Sequence, residues 1–425
     1  MKRFFYSLGI SKKTFSSNIT PILVILITSL ITVTNKFNGE HQFALWFMFI
    51  LFEWRKIMNS NSKIRRMFIL SVLFLFICVF YKLLGVSSAK MGFCIGAPIL
   101  YYAPMIALVF IDKYFNEQQI RFLFHLIALA IAINIADNIR LSHQYGVENI
   151  VFQNLGGKMA EQGITGLNLG GTTFVNMIVF YACTMFFAFL VSNKWQEKLL
   201  FLTYVGISSY FVIICSIKAS AVILLLLSLL LMYVAIRSKR RLGILITLIT
   251  IVGGLTYLLR DVIVNFFVDF IGSDRIAQRL IIFTSEHDVE ESGTLLERTN
   301  LWMVSLRSWL GSAISFFFGI GDHNYNDFMT TEASGIGSHS DLFDVLGKYG
   351  ILGASIFYSS IKIYYDYLQK KHGDLFKYEI IVFFILFLGM GFTKKIVAAQ
   401  PAIVIFILFP LALRYISNTK LMHKK

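Results

Sequence analysis

The stretch "ASAVILLLLSLLLMYVAIRSKRR", Ala219 to Arg241, decides the fold. Its apolar part is interrupted only by Ser220, Ser228 and the phenol of Tyr233. Wound as a helix it covers about 27 Å, close to the roughly 30 Å of a bilayer's hydrocarbon core. It stops at Arg237, Lys239, Arg240 and Arg241. Basic residues at the end of a span mark the cytoplasmic side of a membrane. The same grammar, apolar run then basic punctuation, recurs along the chain.

Of the 425 residues 56% are hydrophobic and 15% charged, which excludes an ordinary soluble domain. A formal charge of +15 would suggest nucleic acid in a soluble protein, but here the basic residues gather at span ends, so no nucleic-acid partner is expected. Alternating segments of about ten residues, the signature of a membrane β-barrel, are absent from the pattern. Cys78, Cys94, Cys183 and Cys215 all fall inside apolar runs without metal-ligand spacing, and read as core thiols with no disulfide framework.

Apolar runs place spans near 19–35, 41–54, 67–85, 92–111, 119–139, 171–192, 198–216, 219–236, 242–259, 347–367, 377–393 and 396–414. The expected fold is an all-α polytopic bundle of about 12 spans. The first run is too long for a signal peptide and no cleavage pattern follows it, so a retained span is expected. Lys and Arg near the ends orient the chain. Lys2, Arg3, Lys12 and Lys13, then Arg55, Lys56, Lys63, Arg65 and Arg66, the Arg237 run, Lys370, Lys371 and Lys377, and the basic tail all fall on one side. That side is read as cytoplasmic, with both termini inside.

The chain reads as one integral membrane domain: nine spans over 1–259, a large outer loop over 260–346 and three spans over 347–425. Long loops of membrane proteins carry function or are disordered. The tryptophans and helix-period apolar residues of this one point to order.

At the end of the loop stands "GSHSDLFDVLGKYGILG", Gly337 to Gly353. Ser338 with Asp341 three residues later is a capping-box pattern and predicts a helix starting at about His339. A helix N-terminus favours neutral imidazole, the form a general base needs, and offers N–H groups to an anion. Leu342, Phe343, Leu346, Gly347 and Gly350 then share a face that continues into the next span. His339 is either such a base or an interfacial polar residue above a helix-packing face.

Upstream, "ERTNLWMVSLRSWLG" reads as an amphipathic helix up to Leu310. Arg298 shares a face with Trp302, Ser305 and Trp309, while Arg307 points the opposite way. Arg298 either meets an anionic ligand or snorkels to lipid headgroups. Gly319 and Gly321 of "GIGDHNYN" allow a tight turn with close backbone approach, and His323 in it is a second candidate base. Lys218 lies in a very short outer hairpin, where a cation opposes the positive-inside preference; a phosphate or a headgroup would account for it. Asp137 and Arg140 are spaced to pair with each other. "HDVEES", His287 to Ser292, reads as a solvated charge run, not a metal cluster.

In this order the motifs resemble the O-antigen polymerase and ligase superfamily, membrane glycosyltransferases of bacterial surface-polysaccharide assembly. The resemblance rests on "SIKAS" at Ser216–Ser220, "ERTNLW" at Glu297–Trp302, "GIG" at Gly319–Gly321 and "SHSDLFDVLGKYGILG", and covers about 200–365. Lys218 stands where that family usually has Arg, so it offers a point charge in place of a bidentate fork. Ser340 and Asp341 replace a more usual His-Asn pairing.

The resemblance implies a bacterial inner membrane enzyme that polymerises oligosaccharide units carried on undecaprenyl pyrophosphate into O-antigen or capsular polysaccharide at the periplasmic face. Donor and acceptor are both lipid-linked. It implies His339 and Arg298 as catalytic residues and Lys218, Arg298 and Arg279 on the pyrophosphate. Asp341, Gly319, Gly321 and His323 are implied as support. Inversion at the anomeric centre, no metal and no cofactor are implied, with membrane lipids, a chain-length regulator and a flippase as partners. A ligase moving finished glycan to a lipid A core would share these motifs. A flippase or transporter is the rival of another class, and predicts ionisable groups along the middle of several spans.

Overall fold

The computed structural model describes residues 19–34, 39–85, 99, 101–145, 172–216, 219–237, 243, 247, 295–321, 340–393, 396 and 398–422. The described elements are helical, without strands. They begin with α1 (Ile19–Thr34), α2 (Gly39–Met58) and α3 (Ser62–Leu83). A composite α4 follows, a 3₁₀ turn Ala103–Ile106 leading through Ala107–Val109 into a π-turn Phe110–Tyr114. Next come α5 (Glu117–Tyr145), α6 (Thr172–Val191), α7 (Trp195–Tyr210, extended by a π-turn Phe211–Cys215) and α8 (Ala219–Arg237). Two helices of the loop region are α9 (Leu295–Leu310) and α10 (Ala313–Phe318).

The stretch Asp341–Thr393 is interrupted at Gly350 and Phe376 into three limbs, 341–349 (α11), 351–375 (α12) and 377–393 (α13). The last helix, α14, runs through Ala399–Ile403, a π-turn Val404–Leu408 and Phe409–Met422. Six helical stretches among the described residues are long and apolar enough to cross a membrane; 19–34 and 221–237 are shorter apolar helices. This is an all-α membrane protein. Apart from 243 and 247, the span expected at 242–259 lies outside the described residues, as do most of the outer loop and 86–98 with Cys94.

One correction concerns 347–367, expected as a single span that continues the helix begun near His339. The helix breaks at Gly350 (φ 59°, ψ −168°). The backbone of Phe317 and Phe318 occupies the place a Cβ would take there, and only glycine adopts that conformation without strain. The chain then turns back, and the Tyr358 hydroxyl donates to the Leu342 carbonyl. At Phe376 it turns again, so α12 and α13 form an antiparallel hairpin with Tyr365 packed on Phe384, ring centroids 4.8 Å apart.

Of the six long apolar stretches, those of α6 and α14 are the most enclosed, 83% and 89% buried against 33% for α3. Phe383 of α13 stacks flat on Phe409 of α14, and Tyr181 of α6 reaches the Ala128 carbonyl of α5. Cys78, Cys183 and Cys215 are buried thiols, not joined in disulfides among the described residues. Asp137 and Arg140 pair at 2.8 Å.

Successive helices alternate between two ends. At one end Lys63 donates to the Asp366 carbonyl at 3.0 Å, Lys113 to the Asn59 carbonyl at 3.5 Å and Arg414 to the Asp112 carbonyl at 2.9 Å. Lys371 also pairs with the Asp112 carboxylate. Lys63, Lys371 and Arg414, which the sequence reading put on one side of the membrane, all make contacts at this basic end. Contacts at the opposite end include Asn134 to the Val33 carbonyl at 2.7 Å and Thr173 to Gln400 at 3.0 Å.

Candidate functional site

The loop helices dock at the end opposite the basic one. Ser312 and Ser315 form a capping box that starts α10, and Trp309 of α9 folds onto it, stacking on Phe316 and donating from Nε1 to the Phe316 carbonyl at 3.0 Å. The chain then enters the G-I-G turn with positive φ at both Gly319 and Gly321. There the Ile320 N–H donates to the Gly347 carbonyl at 2.9 Å and the Gly321 N–H to the Lys348 carbonyl at 2.8 Å. These are the last carbonyls of α11, which have no partner within their own helix.

The two glycine turns therefore lock backbone to backbone. A Cβ on Gly319 would lie 2.3 Å from the carbonyl of Lys348, and one on Gly350 would lie 2.4 Å from that of Phe317. No side chain fits in either place. Gly353 is held as tightly, since a Cβ there would stand 2.3 Å from that of Tyr349. The close approach anticipated for the G-x-G turn is made to another part of the chain. Tyr81 of α3 closes the junction by donating to the Phe318 carbonyl, while Tyr349 packs edge-on to Phe74.

The start of α11 differs from the sequence reading by two residues. The helix begins at Asp341 and not near His339. Ser340 caps it, accepting weakly from Phe343 N–H (3.4 Å) while its own N–H donates to Asp344 at 3.2 Å. Asp341, read as the capping acid, instead accepts from the Ile396 N–H, tying α11 to the start of α14. The Ser340 hydroxyl donates to the Gly391 carbonyl of α13 at 3.2 Å. One short helix start thus fastens three limbs.

α9 meets the same cap from the other side. Buried Ser305 donates to the Asp344 carboxylate at 2.7 Å, and the Trp302 and Phe343 rings lie 5.5 Å apart. The Trp302 indole N–H is buried and has no hydrogen-bond partner among the described residues. Arg298 belongs to α9, one turn before Trp302; its side chain is outside the description. Arg307 is exposed, on the opposite phase to buried Ser305. His339, His323, Arg279 and Lys218 lie outside the described residues. In sequence Lys218 falls between the end of α7 at Cys215 and the start of α8 at Ala219.

Sequence reasoning did not single out Asp344, Tyr81 or the Phe317–Phe318 backbone. For Asp344 a signal existed, an acid four residues after Ser340 on the face of Ser305's partner helix. For the other two there was none, because each contact is purely tertiary.

No family model matches the chain, and no curated protein matches it.

Proposed function

We propose that this protein is a membrane glycosyltransferase that polymerises lipid-linked oligosaccharide units at the outer face of the bacterial inner membrane, with both termini in the cytoplasm and about 12 spans. The observation that carries the reading is the junction of α9, the G-I-G turn and the cap of α11. Three motifs separated by some forty residues of sequence meet there, at the end of the bundle away from the basic residues. A site for two lipid-linked substrates needs this location, at the membrane surface and opposite the cytoplasmic charges.

In the proposed reaction an acceptor sugar hydroxyl attacks the anomeric carbon of the donor glycan. The bond from that carbon to the pyrophosphate oxygen breaks, and its electron pair leaves with undecaprenyl pyrophosphate. The hydroxyl proton passes to His339, a general-base contribution of about 10²- to 10⁴-fold. Arg298, Arg279 and Lys218 balance the charge that develops on the leaving group. Asp341 and Ser340 hold the chain next to His339 to α13 and the start of α14. One direct displacement inverts the anomeric centre.

The test is a deletion strain complemented with wild type or His339→Ala, with surface polysaccharide resolved on a gel. Wild type restores the ladder of long chains. His339→Ala gives one-repeat products with unchanged abundance in the membrane. Accumulation of lipid-linked polymer would instead identify a ligase, and full-length polymer with His339→Ala would remove that residue from the chemistry.

A further inference from the structure

An apolar groove of about 500 Å³ runs between α12 and α13. Phe343 and Phe392 line it near the capped end of α11, and Ile385, Tyr365 and Ile381 line it toward the hairpin turn. From Phe392 to Ile381 is eleven helical residues, about 16 Å. One wall carries a single cation, Lys362, on an exposed position.

Lys362 makes no ion pair and no hydrogen bond with the described residues. Nearby cations are differently placed. Lys63 is bonded to the Asp366 carbonyl, Lys56 to Glu53, and Lys371 and Arg414 are gathered on Asp112. Asp366, one turn along α12, is not within ion-pair distance of Lys362. The bond from Lys63, at the start of α3, sets the level of Asp366 at the basic end of the bundle. Lys362 is four residues further in, about 6 Å, within reach of the headgroups if its stem extends toward them.

An ionisable group on a span is costly without a partner and marks a ligand or pathway. Among the described residues Lys362 lacks such a partner, and the groove that runs past it is apolar, so the fitting occupant is an anion that carries an apolar chain. Basic pockets between membrane helices hold lipid phosphates in this way, and the volume falls in the range of ligand sites. We propose that the α12–α13 groove binds one anionic glycerophospholipid from the leaflet at the basic end, its phosphate on Lys362 and an acyl chain along the groove. The phosphate end of the site faces the opposite leaflet from the glycan chemistry, and the proposal stands whether or not that reading holds.

The test is native mass spectrometry of the intact protein released from detergent containing equal amounts of phosphatidylglycerol and phosphatidylethanolamine. Wild type retains one phosphatidylglycerol in preference. Lys362→Gln lowers that retention at least fivefold, Lys362→Arg restores it, and Lys370→Gln, on an exposed position outside the groove, leaves it unchanged. Ile385→Trp fills the groove and lowers retention with the charge intact. Equal retention of both lipids by wild type, equal behaviour of Lys362→Gln and Lys370→Gln, or failure of Lys362→Arg to rescue would overturn the charge assignment. Full retention by Ile385→Trp would overturn the groove, and preferential capture of a polyprenyl-linked pyrophosphate would overturn the identity of the occupant.

Discussion

At the basic end of the bundle the helices are tied by long side chains reaching for carbonyls, whereas at the opposite end the loop helices meet α11 backbone to backbone. Lys63, Lys113 and Arg414 span their gaps with flexible stems, so small shifts between helices cost little. Gly319 and Gly350 leave no gap to adjust. The difference separates a scaffold that tolerates movement from a junction that fixes one arrangement, and fixed geometry is what a reacting group requires.

Gly350→Ala puts the contrast under the greatest load. The new methyl meets backbone at 2.4 Å on a residue with φ 59°, and overpacking and strain together cost about 3 kcal/mol or more. Thermal unfolding in detergent should shift strongly down and polymer formation should be lost. Its counterpart Gly206→Ala lies in α7 with nothing within 4 Å, and should be slightly more stable, by about 0.5–1 kcal/mol. Equal melting temperatures for the two variants would show that the glycine lock is not what holds the loop.

A smaller effect is expected from the two acids that organise the ends. Asp344→Ala strips a hydrogen bond from both Ser305 and the Ser340 N–H, each stranded group costing about 1–3 kcal/mol. Asp112→Ala frees Lys371 and Arg414 from their shared carboxylate. Both variants should melt earlier, but at matched membrane abundance only Asp344→Ala should shorten the glycan ladder. A ladder shortened equally by Asp112→Ala would erase the functional distinction between the ends.

The smallest contrast lies within α9. Arg298→Lys should reduce polymer about tenfold, near 1.4 kcal/mol in the barrier, because Lys cannot reproduce a bidentate fork. Arg307→Lys, on an exposed position, should stay within about twofold. Equal tolerance at both positions, measured as chain-length distribution, would detach Arg298 from the site.

Much of the helical framework was legible because a membrane leaves the chain few choices. Apolar length sets a helix, and basic residues set its ends. The reading of 198–216 against the helical stretch Trp195–Cys215 is an instance. The site was legible in its pieces but not in its assembly. Gly347, Gly350 and Gly353, three apart, look like a helix-packing stripe, and that period hides a turn. What distinguishes Gly350 is the backbone of Phe317 and Phe318, which no local pattern announces. Likewise Ser338 with Asp341 is a sound cap by spacing, but Ser340 with Asp344 won because Ser305 on another helix also needed the acid.

The bond from Tyr81 to the Phe318 carbonyl joins residues 237 positions apart. During synthesis α3 therefore exists long before its partner, and Tyr81 waits for Phe318 to be made. The contact that closes α3 over the junction depends on a distant later part of the chain, so a chain truncated before Phe318 would leave Tyr81 without the carbonyl it serves.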